Sequence, residues 1–124
     1  MFAKLNHIAI ASDQYAINSR FYEALFGLRS AKNYRPARAT VVSDGRVGMN
    51  IIPRREGRTS GLDHFGFEVD NADEIIEKMK QLNMSRLPKP RQASSPYAEI
   101  RASDPDGNFF DISEHSFLEP KEKG

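Results

Sequence analysis

The sequence predicts an α+β fold made of two strand–helix–strand–strand–strand units. Three observations carry this reading. KLNHIAIASD, from Lys4, resembles GLDHFGFEVD, from Gly61: a histidine, alternating small and apolar residues, then an aspartate. A helical spacing of apolar residues follows each copy. Each half then contains short strand-like runs, the last of them preceded by a matching turn, Asp44-Gly45 or Asp106-Gly107.

Taken in order, the first strand starts at Lys4. The first helix is expected over about residues 13–26, with Ile17, Phe21, Leu25 and Leu28 spaced by three or four and Gly27 as its C-terminal cap. Strands are expected near 28–34, 37–42 and 47–52. The linker PRREGRTSG, residues 53–61, joins module one (4–53) to module two (61–115). In module two, a helix over 72–82 presents Ile75, Met79 and Leu82 on one face, and Asn71 with Glu74 reads as a capping box. Strands near 85–87, 97–102 and 108–113 complete the unit. The tail, 116–124, reads as solvated.

Bulk composition narrows the function. At 124 residues the chain fits one domain with a normal core, 39% of its residues being hydrophobic. Eighteen basic and seventeen acidic residues leave a net charge of +1, without the basic excess that a nucleic-acid footprint needs. No apolar run approaches the roughly 18 residues of a membrane span, and MFAKLNHIAIASD does not read as a signal peptide. The absence of cysteine excludes disulfide and thiolate chemistry. A soluble cytoplasmic protein is expected.

Strand alternation points to a site. Side chains along a strand face opposite ways in turn, so Leu5, His7 and Ala9 share one face and Ile8 and Ile10 the other. In the second copy Leu62, His64 and Gly66 oppose Phe65, Phe67 and Val69. The larger apolar sets are expected under the helices. The histidine faces carry Ala9 and Gly66 two residues on, which leaves space beside each imidazole. SDPDGNFFDISEH, residues 103–115, adds a third group. Its spacing fails as an EF-hand calcium loop, because Gly107 follows Asp104 by three residues. Asp104-Pro105-Asp106-Gly107 reads instead as a tight turn capped by an aspartate. Asp111 lies inside the following strand, where aspartate is unfavourable. Its neighbours Phe110 and Ile112 point the other way, which leaves Asp111 with Phe109 and Ser113 on the open side. Glu114 and His115 read as rim. A carboxylate aimed into an enclosed space needs a cation or a metal. Two imidazoles and one carboxylate, His7, His64 and Asp111, form a set that holds a divalent metal with open coordination positions.

NHIAIAS, RFYEALFGL, LDHFGFEVDNADE and above all DPDGNFFD resemble the vicinal oxygen chelate superfamily, the glyoxalase/bleomycin resistance/dioxygenase family, over roughly residues 4–115. The resemblance implies two βαβββ modules forming a cup-shaped mixed sheet around a divalent metal (Fe, Mn, Zn or Ni), and a homodimer. It places His7 and His64 at the histidine ligand positions and Asp111 at the final carboxylate. Matching the two Asp-Gly turns puts a further ligand position of glyoxalase I-like members at Met49, which cannot serve as a carboxylate base and is read as pocket wall with Ala9, Gly66, Phe109 and Ser113. Extradiol dioxygenases carry a tyrosine where this chain has Arg101. Fosfomycin-type thiol transferases have a hydroxyl-rich pocket that Ser94 and Ser95 echo only faintly. Two functions follow as expectations. One is a metal-dependent lyase, isomerase or dioxygenase-like enzyme acting on a small oxygenated metabolite, with Arg101 and Arg91 as substrate anchors and Glu68 as a candidate base. The other is a metal-free module that sequesters a small molecule, with Met49, Tyr97 and Phe109 lining its groove. Neither involves nucleic acid or membrane.

Overall fold

The computed structural model describes residues 3–31, 40–82, 89–90 and 100–115. The expected strands at 85–87 and 32–34 and the side chains of Arg91, Ser94, Ser95 and Tyr97 lie outside them. Two βαβββ modules follow one another: β1 (Lys4–Ser12), α1 (Tyr15–Phe26), β2 (Arg29–Ser30), β3 (Thr40–Ser43) and β4 (Gly48–Pro53), then β5 (Gly61–Glu68), α2 (Ala72–Gln81), β6 (Lys89–Pro90), β7 (Ile100–Ser103) and β8 (Phe109–Ser113). The chain divides into two compact units within β5, between Asp63 and His64; residues ahead of His7 group with the later unit.

In the first module the strand order is β2-β3-β4-β1, with β1 and β4 parallel and the remaining neighbours antiparallel. The second repeats this as β5-β8-β7-β6, with β5 and β8 parallel. Register fixes the faces. His7 pairs with Gly48, Ile8 with Met49 and Ala9 with Asn50. Likewise His64 pairs with Phe109, Phe65 with Phe110 and Gly66 with Asp111.

The second module packs as the alternation predicts. Val69, Met79, Ala102 and Ile112 are buried together, with Phe67, Ala72, Ile75, Ile100 and Phe110 against them. Phe65, Phe67 and Phe110 form an aromatic cluster with centroids 5.7–6.3 Å apart, within the range of favourable ring pairs. Helix α2 begins at Asn71, whose side-chain oxygen accepts the Glu74 amide (3.3 Å). Glu114 adds a second cap, accepting the Ala72 amide at 2.7 Å, where a carboxylate also complements the positive end of the helix. The expected rim residue thus fastens the end of β8 to the start of α2.

Helix α1, Tyr15–Phe26, falls within the expected range. Its apolar stripe does not face the sheet: Ile17, Phe21 and Leu25 are all more than half exposed, and Ser19 is the residue buried. Polar tethers fix this rotation. Ser12 Oγ accepts both the Gln14 amide (2.9 Å) and Asn18 Nδ2 (2.7 Å), while Glu23 Oε2 accepts Ser30 Oγ (2.9 Å). A small serine on the inner face lets the helix lie close to β3 and β4. Gly27 ends the helix at φ 71°, its N–H donating to the Glu23 carbonyl, a left-handed cap that favours glycine.

The 104–107 turn is as read. Gly107 N–H donates to the Asp104 carbonyl at 2.9 Å. Asp104 Oδ1 accepts the Asp106 and Asn108 amides, and Oδ2 accepts Asn108 Nδ2, all at 2.9 Å. The Asn108 side chain, followed by these amides, holds the Asp104 carboxyl below its ordinary 3.8. A carboxyl lowered in the folded state stabilises the protein above its ordinary value and loses that contribution as pH falls through the lowered one. Asp104→Asn is therefore less stable than wild type at neutral pH, and the thermal midpoints of the two converge as pH falls below about 4. Parallel midpoint curves down to pH 2 would show that the turn carboxylate contributes nothing through its charge.

Candidate metal centre

The site of the second module is written in its register. β8 contributes Phe109, Asp111 and Ser113 to one face, and β5 contributes His64, Gly66 and Glu68 to the same face. β7 adds Arg101, opposite Asp111. In an antiparallel pair, side chains directly opposite sit within reach of one another. Arg101 uses that position fully: its Nε donates to Asp111 Oδ1 at 2.8 Å and its Nη2 to Oδ2 at 3.2 Å. On the other side of the carboxylate, His64 Nε2 lies 3.3 Å from Oδ2. The Arg101 guanidinium also lies over the Phe109 ring, 6.0 Å from its centroid, the outer limit of a cation–π contact.

Burial makes these contacts matter. The Asp111 side chain is 1% exposed and that of His64 7%, whereas Arg101 keeps 20%. An ionised carboxylate at that depth is tolerable only with compensating charge and hydrogen bonds. Arg101 supplies both. Arg101 is expected to anchor substrate, but two of its five N–H donors are committed to Asp111. The turn alone does not reveal this: counting back from a 104–107 turn sets residue 101 against 110, and only the five-residue loop 104–108 sets it against 111.

A metal also fits the donor set. Ligand bonds of about 2.0–2.2 Å at tetrahedral or octahedral angles leave neighbouring ligand atoms roughly 3.0–3.5 Å apart. The His64–Asp111 separation of 3.3 Å is of that size. Carboxylate ligands are commonly braced by a hydrogen-bond donor on their other oxygen, which is where Arg101 Nε donates.

In the first module His7, 1% exposed, occupies on β1 the position that His64 has on β5, since each pairs with the first residue of its module's last strand. Ala9 is fully buried on the His7 face. Met49 is not on that face. It pairs with Ile8, and Asn50 stands beside Ala9, in the place Asp111 takes beside Gly66. The Asp-Gly match misleads by one residue because Asp-Gly sits at different places in the two hairpin loops: two residues separate Gly45 from Gly48, and one separates Gly107 from Phe109. Ser43 pairs with Gly48, leaving four residues (44–47), whereas Ser103 pairs with Phe109, leaving five (104–108). Asn50 Oδ1 is buried with no hydrogen-bond partner among the described residues. A buried acceptor without a partner is uncommon in native proteins, and it marks Asn50 as a candidate that the turn match passed over. Of the remaining expected wall residues, Gly66 and Ser113 are buried and Phe109 half-buried; Glu68, the candidate base, is also half-buried.

A family model described as the Glyoxalase/Bleomycin resistance protein/Dioxygenase superfamily matches residues 4–112. No curated protein sequence matches the chain significantly. Among solved structures, the chain is similar to a hypothetical protein from Bacillus halodurans C-125 (TM-score 0.67, 18% identity, 94% of this chain and 96% of that one). It is also similar to a methylmalonyl-CoA epimerase in complex with methylmalonyl-CoA and NH4+ (TM-score 0.63, 16% identity, 95% and 98%). A 2,3-dioxygenase from Pseudomonas sp. KL28 gives TM-score 0.71 at 16% identity, with 93% of this chain spanning 41% of that one. These identities establish a shared fold. No described helix is long and apolar enough to cross a membrane.

Removing Arg101 leaves the Asp111 carboxylate buried without compensation. Arg101→Leu is expected to cost about 3 kcal/mol in urea unfolding, toward the low end for a broken buried pair because Arg101 is partly exposed. Arg101→Lys recovers part of the loss, since an ammonium keeps the charge without the two-pronged geometry. An unchanged midpoint for Arg101→Leu would mean that Asp111 is protonated or otherwise compensated.

Proposed function

The chain belongs to the glyoxalase/bleomycin resistance protein/dioxygenase superfamily, and we propose that within it the protein is a divalent-metal-dependent enzyme acting on a small oxygenated metabolite. The observation that carries the reading is the buried His64–Asp111 pair, spaced as two ligands of one ion and braced by Arg101. The proposal adds His7, which holds on β1 the position that His64 holds on β5. In this proposal His7 and His64 each give an imidazole nitrogen and Asp111 a carboxylate oxygen to Fe, Mn, Zn or Ni. When bound, such an ion supplies Lewis-acid chemistry, polarising adjacent substrate oxygens and stabilising enolate- or alkoxide-like charge.

The protein's own groups define the rest of the reading. Arg101 donates to both Asp111 carboxylate oxygens and fixes their orientation. Asn50, a neutral acceptor, takes a hydrogen bond from a substrate hydroxyl or amide. Glu68, half-buried on the His64 face, is the candidate base. Ala9, Gly66, Phe109 and Ser113 form wall. The epimerase whose structure holds methylmalonyl-CoA suggests acyl esters as one substrate class to test.

One observation favours a second reading. Arg101 already balances the Asp111 charge, so the face is electrostatically complete without a cation, as a metal-free small-molecule-binding member requires.

Metal content separates the two. Protein purified without a histidine tag is expected to carry about one equivalent of metal, lost in His64→Ala and Asp111→Ala and kept in Glu114→Ala. Wild-type protein that takes up none of Fe, Mn, Zn or Ni sinks the enzyme reading and leaves the sequestering one. Loss in Glu114→Ala with retention in Asp111→Ala would put the carboxylate ligand on the other face of β8.

A further inference from the structure

Because α1 turns Ser19 inward rather than its apolar stripe, the space beneath it stays partly open. A cavity of about 730 Å³ lies between α1 and strands β2 and β3, within the size range of small-molecule sites. Its inner end is polar. Ser19 is buried there, and Thr40 Oγ1 is buried with no hydrogen-bond partner among the described residues, an uncommon state in native proteins. The outer wall carries one charge of each sign, exposed Arg20 and half-buried Glu23. Register sets this cavity apart from the face that bears His7 and Asn50. Thr40 pairs with Ile51, on the opposite face of the sheet from Asn50 and its partner Val41. We propose that the cavity is a second binding site and that its ligand is a small zwitterion of the α-amino acid type.

The charges select the ligand. Arg20 and Glu23 are three residues apart on one helix, which places their Cβ atoms roughly 5–6 Å from one another. Arg20 nevertheless makes no hydrogen bond or ion pair among the described residues. Glu23 accepts Ser30 Oγ on Oε2 at 2.9 Å, which orients the carboxylate and leaves Oε1 for another donor. A plain anion drawn to Arg20 would meet the Glu23 carboxylate, and a plain cation drawn to Glu23 would meet the guanidinium. An α-amino acid answers both, with its carboxylate on the Arg20 fork and its ammonium on Glu23 Oε1. Among the described residues the lining has no aromatic ring and no large apolar side chain. Binding therefore rests on these polar contacts, and the room toward Ser19 suits a small side chain. Ser30 holds Glu23 in place before the ligand arrives, which lowers the ordering cost of binding.

Calorimetric titration of the full-length chain with L-alanine, L-serine and L-threonine tests this. At least one of them is expected to bind as a single equivalent, with a dissociation constant below about 1 mM. N-acetylation removes the ligand's cation and methyl esterification its anion, and each derivative is expected to bind at least about tenfold more weakly. Arg20→Gln and Glu23→Gln are each expected to weaken binding of the parent amino acid by at least about tenfold. Without ligand, the thermal midpoint of Arg20→Gln is unchanged, since Arg20 has no described partner to lose. That of Glu23→Gln changes little, because the amide oxygen still accepts from Ser30. Binding is retained in His64→Ala, so the outcome does not depend on the metal reading. Failure of all three amino acids to bind up to about 10 mM overturns the proposal. So does a derivative that binds as tightly as its parent. Binding that survives Arg20→Gln and Glu23→Gln but is lost in His64→Ala places the ligand in the candidate metal centre and overturns it equally.

Discussion

Asp111 sets the terms for its whole neighbourhood. A carboxylate 1% exposed inside a β-strand is a liability that a small domain with a few kcal/mol of net stability cannot leave uncompensated. Arg101 answers it from the neighbouring strand, and His64 approaches it on the other side. The β7–β8 register is then constrained twice, by the backbone ladder and by the ion pair. A one-residue slip would turn Asp111 into the Phe67–Phe110–Ile112 core and leave Arg101 without its partner.

The two modules share a plan and differ in detail. In both, the first strand pairs parallel with the last and carries a histidine opposite that strand's first residue. The last strand then diverges. Module two has a braced Asp111 two residues on, and module one has Asn50, neutral and with its Oδ1 lacking a described partner. The helices diverge too. α2 turns apolar groups such as Met79 to its sheet, while α1 buries Ser19 and sends its largest apolar groups outward. One copy has concentrated charge and the other exposed apolar surface, so the duplicated architecture serves different purposes in its halves.

Much of this was legible in the sequence, and the failures are informative. Alternation in GLDHFGFEVD and NFFDIS put Phe67, Phe110 and Ile112 on one face and His64 and Asp111 on the other, because a two-residue period is a strict geometric rule. The 104–107 turn was readable from Asp, Pro and Gly acting through known torsions. Met49 was misplaced because Asp-Gly marks a hairpin without fixing how many residues separate it from the following strand. The orientation of helix α1 was not legible for another reason: periodicity reveals that a helix has an apolar face, not which way it turns. Here the direction follows from side-chain hydrogen bonds of Ser12 and Glu23 that no hydrophobic pattern encodes. Arg101 was assigned to an external anion because its internal one was identified only as a metal ligand.

The Glu114 cap ties these features together mechanically. Three residues beyond Asp111, the same strand's end grips the first amide of α2, so strand and helix share an anchor that belongs wholly to neither. A shift of β8 along its own axis would draw the helix N-terminus with it or break the grip. The Ala72 amide is therefore a built-in gauge of the site strand: its hydrogen-exchange protection reads out, from the opposite layer of the module, how firmly the Asp111 strand is held.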